Sequence, residues 1–235
     1  HDFRPAYREI VSIRTLLPDV PIIALTATAN EMVLNDIIDQ LALQDPQIFT
    51  QSFTRTNLSY SCLYEENKEK RLVSMLQKIP GLCIVYANSR ARVVRIAEFL
   101  NRQQISTEFY HGGLDHKQRS IKQDAFMKNT VRVMVATNAF GMGIDKADVR
   151  LVVHMDIPDS LEGYFQEAGR AGRDGNKAFA VLLHTKKDED ELTAKIPVAH
   201  PAAEVIRRMY QSLANYYQLA VGSGYMESYP FDLDD

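Results

Sequence analysis

Leu82-Cys83-Ile84-Val85-Tyr86-Ala87-Asn88-Ser89-Arg90 is the stretch on which the fold turns. Its first five residues are all apolar, so they read as a strand buried on both faces, and such strands belong to parallel sheets covered by helices. Asn88 or Ser89 then stands where a helix needs an N-cap. Residues 90–103 follow with Val93, Val94, Ala97 and Leu100 at helical spacing. The unit repeats downstream. Residues 131–136, 151–154 and 178–183 read as further strands, and Asp115 opens a helix to about Lys128 with an Asp-x-x-Gln start signal. Strand and helix in alternation predict an α/β fold: a three-layer parallel sheet with helices on both faces and right-handed crossovers.

The flanks read differently. Residues 21–25 are expected to form a buried strand, and Thr28-Ala29-Asn30-Glu31 is a capping-box signature for a helix to about Ala42. This is the expected end of a preceding domain, 1–52. The chain then crosses into the main domain, 53–185, with residues 57–64 as its first strand. Residues 186–235 are expected to be a helical extension and acidic linker. Lys186-Lys187-Asp188-Glu189-Asp190-Glu191 starts a solvated helix, and a last helix over about 201–219 has apolar positions at Val205, Ile206, Met209, Leu213 and Tyr216.

The chain has 235 residues, 46% of them hydrophobic, enough for one large core with flanking pieces. No window approaches a membrane span and no basic-then-apolar leader opens the sequence, so a cytoplasmic protein is expected. Cys62 and Cys83 lie in alternating apolar runs and read as buried small hydrophobes, with no zinc ligand set and no other metal site expected. The net charge of -3 is unusual for a nucleic-acid binder, but residues 186–235 hold nine acids and five bases, which leaves the preceding body at +1. Contact with nucleic acid therefore has to come from local arrangement.

One such arrangement is Gln166-Glu167-Ala168-Gly169-Arg170-Ala171-Gly172-Arg173-Asp174-Gly175. On a helix, Gln166, Arg170 and Arg173 share a face. Gly169 and Gly172 each cost about 1 kcal/mol against Ala inside a helix, which close approach of another surface would explain. Paired guanidinium groups meet phosphate oxygens bidentately and suit a transferring phosphoryl group. A second arrangement is Thr137-Asn138-Ala139-Phe140-Gly141-Met142-Gly143-Ile144-Asp145, at the carboxyl end of a strand, where α/β sheets bind ligands.

The decapeptide resembles the last conserved motif of superfamily 2 helicases in its RecQ form, QExGRAGRDG. DEAD-box RNA helicases usually carry a histidine where Gln166 stands and a threonine where Ala171 stands. Residues 135–150 resemble the fifth motif of the same family, ATxAFGMGIDKxDVR. Ala87-Asn88-Ser89-Arg90 is similar to the fourth, and His111-Gly112-Gly113-Leu114 to a backbone-contacting HAGL turn. Thr26-Ala27-Thr28 matches the third motif, and His1-Asp2-Phe3-Arg4-Pro5-Ala6-Tyr7 resembles the end of an aromatic-rich loop in which Phe3 or Arg4 would stack on bases.

The resemblance implies a RecA-like fold and an ATP-dependent DNA helicase that moves 3′ to 5′ on single strands and unwinds duplex DNA in repair or recombination. It implies Arg170, Arg173 and Gln166 as catalytic residues, with Gly143, Asp145, Arg170 and Arg173 on ATP and Mg²⁺ in the whole protein. It also implies Ser89, Arg90, His111, Gly113, Thr137 and Asn138 on DNA, and Thr26 and Thr28 as coupling residues. The alternatives are a non-catalytic nucleic-acid-binding module and an RNA helicase lobe. No GxxxxGK[ST] or DExH box occurs, and the resemblance covers about residues 1–185. The expectation is therefore the end of lobe one and all of lobe two, inactive in isolation and binding no cofactor alone. A four-cysteine zinc module usual in RecQ proteins is absent from residues 186–235.

Overall fold

A computed structural model describes residues 10–17, 19–26, 29, 31–50, 52, 54–141 and 144–218. In chain order the elements are α1 (Ile13–Leu16), α2 (Glu31–Gln40), β1 (Leu58–Tyr64), α3 (Lys68–Lys78), β2 (Leu82–Tyr86), α4 (Arg90–Arg102) and β3 (Thr107–Tyr110). They continue with α5 (His116–Met127), β4 (Val133–Ala136), β5 (Val149–His154), α6 (Leu161–Ala168), β6 (Ala178–His184), α7 (Lys186–Ala199) and α8 (Ala203–Tyr216). The six strands form one parallel sheet in the order β1-β6-β5-β2-β4-β3.

The central strands β2 and β4 are buried at every position, as continuous apolar runs require. One face of the sheet is covered by α3 and α4: Leu72, Met75, Leu76, Val93, Ile96, Ala97 and Leu100 pack against Cys83, Val85, Val135, Leu151 and Val153. On the other face Phe126 of α5, Phe140 and Ile144 of the β4–β5 crossover, and Ala168 and Ala171 pack against Ile84, Tyr86, Met134 and Val152. Local signals start the helices. Ser89 caps α4 by accepting from Arg92 N at 3.2 Å, and Asp115 caps α5 by accepting from Gln118 N at 2.8 Å.

Two expectations are corrected. Residues 21–25 are neither a strand nor buried: Ile23 is 80% exposed and Leu25 89%. Strands exist only in ladders, and no described strand pairs with this one. Cys62 is exposed, because β1 is an edge strand whose burial fades beyond Leu58. Thr28 and the other N-terminal signals of α2 lie outside the described residues, which resolve that helix from Glu31. Among the elements that went unread are α3, despite Leu72, Met75 and Leu76 at helical spacing, and β3, whose sequence Thr-Glu-Phe-Tyr is half polar because it is the other edge.

Candidate functional site

The loops that leave β2, β3 and β4 lie side by side, since these strands are neighbours in the sheet. They carry Ser89 and Arg90, then His111 and Gly113, then Thr137 and Asn138. Thr137 N donates to Tyr110 O at 3.2 Å, and Thr137 Oγ1 accepts from Ala139 N at 3.4 Å. The Arg90 guanidinium lies over Gly113, where an added Cβ would stand 2.8 Å from Nη1. His111 stacks on Phe109 at 5.7 Å, and its buried Nδ1 finds no protein partner. Asn138 is exposed at the rim.

An acid that sequence reasoning missed organises the first of these loops. Asp156, just beyond β5, accepts from Asn88 N at 2.9 Å and pairs with Arg92 at 2.6 Å. Asn88 Nδ2 donates to Ile157 O at 3.2 Å. Its place directly after an apolar strand was the available signal. Nearby, buried His154 contacts Glu167 Oε2 at 2.9 Å through Nε2 and stacks on Tyr86 at 5.3 Å, tying β5 to α6.

The arginine decapeptide is not one helix. α6 ends at Ala168; Arg170 N and Ala171 N reach back only three residues, to Glu167 O at 3.2 Å and Ala168 O at 3.1 Å. Gly172 N then leaves the helix for Val149 O at 2.8 Å. Gly172 has φ +62, a conformation that glycine adopts without penalty. A Cβ there would meet Ala178 Cβ and Asn57 Nδ2, both at 2.7 Å, so close approach explains this glycine.

The two arginines nevertheless converge on one partner, the crossover from β4 to β5. Arg170 Nη1 donates to Gly141 O at 2.7 Å, against a backbone so close that a Cβ at Gly141 would collide with the guanidinium. Arg173 Nη1 donates to Asp145 Oδ1 at 2.8 Å and to Ile144 O at 3.4 Å. Tyr86, whose hydroxyl burial holds well above the ordinary tyrosine range, donates to Phe140 O at 3.0 Å on the same crossover. The Arg170 Nε is buried without a partner. Arg173 is 37% exposed and Asp145 85%, and so open a pair contributes at most about 1 kcal/mol, which leaves the guanidinium exchangeable.

Gln166 is exposed on α6, before the break, and Thr26 is exposed near the N-terminus. Gly143, Thr28 and the segments 1–9 and 219–235, with Phe3 and Arg4 among them, lie outside the described residues. Arg55 and Asn57, which sequence reasoning passed over, hold the arginine loop by its carbonyls. No helix among the described residues is long and apolar enough to cross a membrane.

Residues 67–175 match the helicase conserved C-terminal domain. Over 189 residues the chain is 44% identical to the ATP-dependent DNA helicase RecQ of Pasteurella multocida, covering 80% of this chain and 30% of that protein. It is 41% identical over 197 residues to the ATP-dependent helicase SGS1 of Saccharomyces cerevisiae, covering 80% of this chain and 13% of that one. The chain thus spans less than a third of either relative. Among solved structures, Saccharomyces cerevisiae Dbp5 bound to Gle1 superposes with a TM-score of 0.63 at 21% identity, over 85% of this chain and 53% of that chain. That likeness shows the fold, a RecA-like helicase C-terminal lobe.

Proposed function

We propose that this chain, which belongs to the RecQ family of superfamily 2 helicases and carries its C-terminal RecA-like lobe, is one half of an ATP-driven DNA helicase that moves 3′ to 5′. The observation that carries the reading is the crossover 137–148. Its first residues, Thr137 and Asn138, stand beside Arg90 and His111, and its later residues, Gly141 and Asp145, are gripped by Arg170 and Arg173. A single segment therefore touches both candidate sites, which is what coupling hydrolysis to movement requires.

The residues present fit a nucleotide phosphate. Arg170 has a buried Nε without a partner, and Arg173 is held by an exposed carboxylate alone among side chains. ATP with Mg²⁺ supplies, when bound, a phosphoryl transfer whose negative charge spreads over oxygens. Arg170 and Arg173 offer planar, permanently charged forks to that charge. Asp145 keeps the Arg173 fork oriented until phosphate replaces it, Gly143 admits the phosphate chain to the backbone, and Gln166 assists from α6. Ser89, Arg90, His111, Gly113, Thr137 and Asn138 hold the backbone of single-stranded DNA. Thr26 and Thr28 pass the nucleotide state to that track. Phosphate contacts carry no sequence information, so binding is sequence-tolerant and weakens with salt. The substrates are single-stranded and duplex DNA in repair or recombination, and the reading includes a cytoplasmic, nucleoid-associated protein.

Single-turnover ATP hydrolysis on the full-length protein, with and without single-stranded DNA, tests the reading. Arg170→Ala and Arg173→Ala are each expected to slow hydrolysis roughly a thousandfold while DNA binding is retained. Unchanged rates would overturn it.

A further inference from the structure

The arginine loop is held by residues from outside its own motif. Arg55 Nη1 donates to Gly169 O at 2.9 Å, and Arg55 Nη2 donates to Gly172 O. Asn57 Nδ2 donates to Gly172 O at 2.7 Å and to Asn176 O at 2.9 Å. The two gripped glycines flank Arg170, and Gly172 immediately precedes Arg173.

Physical need accounts for the grip. Gly169 O stands at the C-cap of α6, where a carbonyl needs a donor from outside the helix and feels the negative end of its dipole, and Gly172 O lies just beyond. A guanidinium meets both demands, since it is a cation with a rigid fork that spans two carbonyl oxygens. Arg55 is itself fixed. Leu58 N donates to Arg55 O at 3.1 Å, and Ala178 N donates to Asn57 O at 2.9 Å, which starts the β1–β6 ladder. The segment is therefore pinned to the sheet on one side and to the arginine loop on the other.

We propose that Arg55 and Asn57 are positioning residues for the arginine fingers, acting on ATP hydrolysis through Arg170 and Arg173. They sit on the stretch that leads into β1, so a displacement of that stretch reaches the arginines through two side chains. The inference rests on the finger reading of Arg170 and Arg173.

DNA-stimulated ATPase of the full-length protein tests it, with Arg55→Ala, Arg55→Lys and Asn57→Ala made alone and in the Arg170→Ala/Arg173→Ala background. Arg55→Ala is expected to lower kcat by roughly ten- to a hundredfold, the effect of a slightly misplaced catalytic group, with the KM for ATP and the affinity for DNA unchanged. Lysine reaches one carbonyl but has no fork, so Arg55→Lys is expected to keep part of the rate. In the doubly substituted Arg170→Ala/Arg173→Ala background neither Arg55→Ala nor Asn57→Ala should add a further loss, because residues that act through the two fingers have nothing left to position. Should Arg55→Ala fail to fold, Asn57→Ala, which removes no charge, carries the same test. Wild-type kcat in the variants, or losses that simply add to that of Arg170→Ala/Arg173→Ala, would overturn the inference while leaving the fingers in place. An unaffected Arg170→Ala enzyme would remove the finger reading and this one together.

Discussion

At the scale of single residues, the arginine loop depends on groups that never touch a phosphate. Asp174 pairs with Arg150 at 2.6 Å and accepts from Asn176 N at 3.1 Å, and Arg150 also donates to Ala147 O and Lys177 O. Hydrogen bonds from Arg150 and then Asn176 hold the Asp174 carboxyl down at about 2, from an ordinary 3.8. A depressed pKa means that the folded protein binds this proton less readily than the unfolded chain. The stabilisation is therefore complete above about pH 4 and is lost as the pH falls through 2. Asp174→Asn should flatten the acid limb: between about pH 4 and 2 the variant loses less stability than the parent, as followed by far-UV circular dichroism. An unchanged acid limb would mean that Asp174 gains nothing from Arg150. Sequence reasoning proposed Arg170, Arg173 and Asp145 for one site; the structure pairs Arg173 with Asp145 and sets Arg170 on the carbonyl of Gly141, in the same crossover. It missed Arg55, Asn57 and Asp156, polar residues that lie outside the matched motifs or at their margin.

At the scale of elements, α7 is tied to α3 by a nearly buried charge pair. Lys68, at the start of α3, donates to Met155 O at 2.7 Å and pairs with Asp188 at 2.6 Å, while Asp188 closes a capping box with Thr185. Burial alone would raise the Asp188 carboxyl, but hydrogen bonds from Lys68 and Thr185 hold it below the usual range. Lys68→Met leaves that carboxylate without its cation and is expected to cost about 3 kcal/mol in urea unfolding. Adding Asp188→Leu should recover much of the loss, because a pair replaced together leaves no uncompensated charge. Further loss in the double variant would show that the cap, and not the pair, dominates. Beyond α7, the apolar positions of α8 are exposed: Val205, Ile206, Met209 and Leu213.

At the scale of the whole molecule, a body of almost zero net charge has to attract DNA through a few placed cations. Arg90→Ala in the full-length protein should weaken single-stranded DNA about equally for all sequences. It should also reduce the slope of log affinity against log salt by about one, read by fluorescence anisotropy over roughly 50 to 200 mM salt. A slope that does not change would take Arg90 off the phosphate backbone. The sequence by itself determined five of the six strands and the helices α4 and α5 that pack on them. A run such as Leu82-Cys83-Ile84-Val85-Tyr86 has no polar face to turn to water, and Ser89 and Asp115 cap their helices through bonds only three residues long. Those are local facts, and local chemistry is legible in a string. Only the tertiary structure decided where α6 stops, that residues 21–25 make no strand, and that Cys62 faces out at an edge. The decapeptide has helical spacing, yet its helix ends at Ala168 and the chain turns away at Gly172. Donors on Arg55 and Asn57, 114 and 115 positions away, take the carbonyls that a longer helix would have used. A bond of that reach depends on how β1 lies against β6, and no window of sequence contains both.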